Sequence, residues 1–102
     1  MVYEKLVRDL IPDLIAAQGE KPNIRILDDA EYRDCLSRKL DEEVQEFHKE
    51  NNLEELADIL EVVYALTESL GHSKEELLEV CEKKRQERGG FHDRVFLISN
   101  EG

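Results

Sequence analysis

Long hydrophobic runs are missing from this 102-residue chain. No apolar stretch approaches the roughly 18 residues that a membrane span needs, and the N-terminus lacks the apolar core of a signal peptide. The expectation is a protein that neither crosses a membrane nor carries a secretory leader. Cysteine is scarce too. Cys35 and Cys81 stand alone, without the spacing of a metal knuckle or a disulfide framework, and fit a reducing, cytoplasmic setting. His48, His72 and His92 are scattered and form no H-E-x-x-H pattern. Positive charge is in short supply: 14 lysines and arginines face 25 aspartates and glutamates, a net charge of −11. Such a chain repels phosphate backbones, which excludes broad electrostatic binding to a nucleic-acid polymer. There is no low-complexity linker and no internal repeat, so residues 1–102 are expected to form one domain.

What the chain does have is enough apolar content for a core, at 40%. A domain this small buries only about two thirds of its unfolded surface, so association with a further copy would add core. The negative charge is concentrated. Residues 41–61 carry nine acids and one base, a net of −8, while the flanking stretches are nearly balanced.

Helix punctuation divides the chain. Asp9 is placed to cap a short helix with Pro12 in its first turn, running to about Gln18 and ended by Gly19. Asp28 or Asp29 caps a long helix reaching about Lys49, which Asn51 and Asn52 break. A third helix runs from Leu53 to Leu70 and stops at Gly71. Ser73 and Glu76 form a capping-box pattern that opens a fourth, closed by Gly89 and Gly90. The alternating segments Asn23–Leu27 (NIRIL) and Arg94–Ile98 (RVFLI) read as two short strands, candidates to pair with each other. The expected fold is mainly α: an antiparallel helical bundle with a short two-strand addition.

The acids are not placed at random on these helices. On a wheel of about 100° per residue, Tyr32, Leu36, Phe47, Leu40 and Val44 span about 120° and enclose Glu43. Glu46 and Glu42 lie along the edge of that stripe. On the next helix Asp58 is bracketed by Val62 and Ala65. Glu43-x-x-Glu46 and Glu55-x-x-Asp58 therefore each set two carboxylates one turn apart beside apolar residues. A short connection makes the two helices antiparallel neighbours, so the four carboxylates converge. Converging carboxylates repel, and a divalent cation removes the conflict; all-oxygen ligands suit Mg²⁺ or Mn²⁺ rather than Zn²⁺.

A plainer reading stands beside this one, in which the acids form a solvated face. Against it, the residues four positions after the acids are Phe47, Glu50, Ile59 and Val62, none of them basic. For it, Lys39 precedes Glu43 by four, Lys49 follows Glu46 by three, and Asn52 with Glu55 is also a capping box.

E-x-x-E followed by E-x-x-D on adjacent helices resembles the MazG-like all-α nucleoside triphosphate pyrophosphohydrolases, a group that includes phosphoribosyl-ATP pyrophosphohydrolase. The resemblance covers nearly the whole chain and is carried by an ordered set of motifs. Lys5-Leu6-Val7-Arg8-Asp9 with Ile11-Pro12 looks like the phosphoribosyl-ATP pyrophosphohydrolase-like branch. So do Arg25-Ile26-Leu27-Asp28-Asp29, Lys39-Leu40-Asp41-Glu42-Glu43, Glu54-Glu55-Leu56-Ala57-Asp58 and Arg88-Gly89-Gly90-Phe91.

The resemblance implies Mg²⁺-dependent cleavage between the α and β phosphates of a nucleotide. Glu43, Glu46, Glu55 and Asp58 would hold the metal, and Glu42 would be an added ligand or would position water. Proton acceptance from water falls to Glu46 or Glu42. The basic residues Lys5, Arg8, Lys84 and Arg88 are candidates for the phosphates, although bases late in a helix also simply favour its dipole. Tyr32, Phe47, Tyr64 and Phe91 are candidates to stack on a base or to pack a core. A homodimer or higher homo-oligomer is expected. Only eight residues separate Glu46 from Glu55, fewer than in many relatives. Classical histidine-pathway enzymes lack the Lys-Leu-Val-Arg-Asp opening. The alternatives are phosphoribosyl-ATP pyrophosphohydrolase and a non-catalytic, metal-binding helical interaction module.

Overall fold

The computed structural model describes residues 4–102. They form four helices: α1 (Ile11–Ala17), α2 (Asp29–Glu50), α3 (Leu53–Ser69) and α4 (Lys74–Arg88).

Each boundary has a local cause. α1 starts one residue later than Asp9 would place it. Leu10 occupies the cap without a side-chain bond, and Pro12 sits in the first turn, where its missing N–H costs nothing. The helix ends in a Schellman arrangement: Gly19 N–H donates to the Ala16 carbonyl and Glu20 N–H to that of Ile15. Gly19 takes φ +87°, which a side chain would strain. Asp28 caps α2 by accepting from Glu31 N–H at 2.9 Å.

The α2–α3 connection is the tightest feature of the chain. Asn51 ends α2 in the left-handed region at φ +49°, its N–H donating to the Phe47 carbonyl at 2.8 Å. Asn52 is extended and caps α3, accepting from Glu55 N–H at 3.0 Å. Two asparagines thus reverse the chain, one by tolerating positive φ and one by capping. The helices then run back along each other. Arg33 near the start of α2 donates to the Ser69 carbonyl at the end of α3 at 2.5 Å, which fixes the far end of the pair.

α3 also closes in a Schellman arrangement, with Gly71 N–H on the Glu68 carbonyl and His72 N–H on that of Thr67. Ser73 and Glu76 make the reciprocal capping box that starts α4. α4 touches only α3, and far less closely than α2 does.

The expected two-strand addition does not form among the described residues. Asn23–Leu27 and Arg94–Ile98 are irregular, and Ile24, Ile26 and Val95 to Ile98 are exposed. Arg25 reaches forward to clasp Glu31 at 2.8 and 3.2 Å, tying its segment to α2 rather than to a strand. A lone two-strand ribbon is marginal without a surface to pack on, and neither segment has one.

The core lies between α2 and α3 and is thin. Leu36 and Val62 are its buried apolar side chains, with Thr67 and Glu43 beside them. The accessible surface is 9456 Å², against about 5,900 Å² for a compact protein of this mass. The radius of gyration is 18.2 Å, against about 13 Å for a compact chain of this length.

Leu36→Ala is expected to destabilise the fold by about 3 kcal/mol, and Ile26→Ala by less than about 0.5 kcal/mol. Urea midpoints with unchanged slopes would check both values.

Candidate functional site

Helix register assembles the site. Ten residues after Arg33 on α2 comes Glu43, and eleven residues before Ser69 on α3 comes Asp58, so the antiparallel pair sets these two abreast. Glu55, one turn earlier on α3, completes a group. One carboxylate oxygen each from Glu43, Glu55 and Asp58 lie within 4.8 Å of one another. Glu43 is only 9% exposed, while Glu55 and Asp58 are half-buried. Glu43 is drawn inward because it occupies the apolar stripe of α2 beside Leu36 and Phe47.

Electrostatics follow from that crowding. The Glu55 carboxyl is held above its ordinary range, first by desolvation and then by the negative charges of Asp58, Glu43, Glu46 and Glu50. Two cations relieve the rest of the group. Arg8 donates through Nη2 to Asp58 Oδ1 at 2.6 Å. Lys39 Nζ lies 3.4 Å from both Glu43 Oε1 and Glu42 Oε1.

The other expected site residues fall around this centre. Glu46 is half-buried and acts on Glu55 through its charge, but lies outside the close trio. Glu42 is exposed and turned to Lys39. Lys5 lines a shallow groove with Glu4, Leu6, Cys35, Arg38, Lys39 and Glu42. Lys84 and Arg88 are exposed on α4, which does not touch α2. Among the aromatic candidates, Tyr32, Phe47 and Tyr64 are half-buried and Phe91 is fully exposed. Lys74 Nζ sits 4.5 Å over the Tyr64 ring, closing that face. Tyr32 lines a cavity with Asp29, Arg33, Glu68 and Ser69 at the opposite end of the helix pair.

Sequence reasoning missed that Arg8 is bound to Asp58. The residues are 50 positions apart, and no local pattern links them. Lys39 was legible from its spacing to Glu43.

Chemically, the trio is an all-oxygen donor set. Opposite ligands of one Mg²⁺ stand about 4.2 Å apart, a little less than the 4.8 Å within which these oxygens lie.

No protein-family profile matches this chain, and no solved structure matches it. A protein of Mycolicibacterium smegmatis (strain ATCC 700084 / mc(2)155), described only as uncharacterized, is 60% identical over 42 residues. That match covers 41% of this chain and 43% of the relative, so the two are compared over less than half of either length.

Glu55 supplies a pH test. Its carboxyl is raised in the folded state, so its charge costs stability once pH climbs above the ordinary value of 4.5, and protonation below that value removes the cost. Glu55→Gln is therefore expected to stabilise the fold at pH 7 and to leave it nearly unchanged at pH 4. Thermal melts of both proteins across that range would show it.

Proposed function

We propose that this chain is a Mg²⁺-dependent nucleotide pyrophosphohydrolase of the MazG-like type, cutting a nucleoside triphosphate between the α and β phosphates. The observation that carries the reading is the convergence of Glu43, Glu55 and Asp58 within 4.8 Å across two helices, one of them almost fully buried. The crowding raises the Glu55 carboxyl, and an all-oxygen donor set of this kind suits a hard divalent cation, Mg²⁺ or Mn²⁺. The ordered motifs running from Lys5 to Phe91 support the same reading.

When bound, the cation neutralises phosphate oxygens and makes a bound water more acidic. The chain's own residues have the remaining tasks. Glu43, Glu55 and Asp58 would hold the ion. Glu46, half-buried and outside the trio, would be the carboxylate to accept a proton from water, with Glu42, paired to Lys39, as the alternative. Arg8 is already at the edge of the trio. Its guanidinium, paired with Asp58, would be the group nearest the trio to offer hydrogen bonds to a phosphate oxygen.

A second reading is favoured by one observation: Arg8 on Asp58 and Lys39 on Glu43 already neutralise two of the three acids. A self-neutralised cluster of this kind fits a helical interaction module without chemistry.

The deciding experiment incubates the protein with canonical and modified triphosphates plus Mg²⁺ or Mn²⁺ and measures pyrophosphate. Release that Glu43→Gln lowers at least about 100-fold supports the hydrolase, since loss of a ligand exceeds the usual cost of losing its supporting contact. No turnover on any substrate, with Glu43→Gln stabilised by metal as wild type is, contradicts it. Growth of a histidine-pathway deletion strain would assign phosphoribosyl-ATP as the substrate.

Arg8→Ala separates the two roles of Arg8. It is expected to raise affinity for Mg²⁺ alone by up to about fivefold, the worth of one exposed ion pair, while lowering turnover. Calorimetric titration and steady-state rates would measure the two effects.

A further inference from the structure

At the end of the helix pair away from Asn51 and Asn52 lies a cavity of about 310 Å³, lined by Asp29, Tyr32 and Arg33 of α2 and by Glu68 and Ser69 of α3. Tyr32 precedes Glu43 by eleven residues, about 16 Å along the helix, so the cavity is separate from the carboxylate trio. Its volume falls at the small end of small-molecule sites, which span roughly 300–1,000 Å³.

The lining is negative and aromatic. Asp29 and Glu68 reach it from different helices. A third carboxylate, Asp9, lies close enough to act on Tyr32. The Tyr32 hydroxyl is held above its ordinary range, first by desolvation and then by the negative charges of Asp9 and Glu68. Among the described residues none of these three acids has an ion-pair partner. The one cation in the lining, Arg33, donates through Nη2 to the Ser69 carbonyl at 2.5 Å. The Ser69 hydroxyl donates to the Leu66 carbonyl at 2.9 Å, so only its lone pairs remain for a ligand. The helix ends add little, because the start of α2 and the end of α3 meet here with opposed dipoles. What the walls offer is acceptors and a half-buried ring.

Such a lining suits a cation, and two observations make it an organic one. The carboxylates here do not converge as metal ligands do: among the described residues, the three acids close enough to hold an ion are Glu43, Glu55 and Asp58. The Tyr32 ring forms part of the wall, and a ring attracts an ammonium group while packing its methylene stem.

We propose that the Asp29–Tyr32–Glu68 cavity is a binding site, distinct from the trio, for a small aliphatic amine in its ammonium form. The ammonium charge pairs with Asp29 and Glu68, and the stem lies on Tyr32. A ligand that meets both acids ties the start of α2 to the end of α3, beside the Arg33 bond that already joins them.

Putrescine, a four-carbon diamine, is the probe, titrated calorimetrically into the full chain with butanol as the uncharged control. Saturable binding of putrescine at one site per chain is expected, and none of butanol. Asp29→Asn and Glu68→Gln are each expected to weaken binding about fivefold, the worth of one exposed ion pair. Tyr32→Leu weakens it by a similar factor, whereas Tyr32→Phe, which keeps the ring, does not. Glu43→Gln leaves the affinity unchanged, so the outcome is independent of the hydrolase reading. Where Tyr32→Leu loses helicity by circular dichroism, Glu68→Gln and Tyr32→Phe decide. No saturable binding, equal binding of butanol, or binding lost in Glu43→Gln and kept in Glu68→Gln would overturn the proposal.

Discussion

Mutual repulsion among Glu43, Glu55 and Asp58 is the constraint around which the rest of the molecule is arranged. The α2–α3 pair supplies the only buried apolar side chains among the described residues, Leu36 and Val62. The same pairing that buries them forces three carboxylates to within 4.8 Å. The fold therefore carries a built-in electrostatic cost that its thin core must offset. Relief comes from outside the helix pair in the form of Arg8, and from one turn away in the form of Lys39. A divalent cation held by all three groups, as proposed, would relieve it more completely.

The two-residue reversal at Asn51 and Asn52 is what makes this arrangement rigid. A longer connection would let α3 slide or rotate against α2, and the acids would separate. Here the left-handed Asn51 and the capping Asn52 leave no slack, and the Arg33 bond to Ser69 holds the opposite end. The site lies near the tight end of the pair, where register is most strongly fixed. The other end keeps a cavity lined by Tyr32, Arg33 and Glu68.

Much of this was legible in the residues themselves. The four helices and most of their ends follow from capping chemistry: Asp28, Asn52, the Ser73–Glu76 box, and glycines 19, 71 and 89. The burial of Glu43 follows from its place in the stripe of α2. What was not legible depends on contacts between distant parts. The strands were read from local alternation, but alternation specifies a strand only where a ladder partner and a packing surface exist, and NIRIL and RVFLI find neither among the described residues. Asp9 lost the first cap to Leu10 despite its better chemistry. Arg8 could not be placed on Asp58 because nothing local signals a contact across 50 residues. Lys84 and Arg88, candidates for the phosphates, lie exposed on α4, which packs on α3 and not on α2.

Manganese titration followed by electron paramagnetic resonance measures the central claim directly, because free Mn²⁺ gives a signal that protein binding removes. The account predicts saturable loss of signal with the wild type and little loss with Glu43→Gln, whose fold stays intact. Binding unchanged by Glu43→Gln, or no saturable binding at all, would contradict the claim that the converging carboxylates form a cation site.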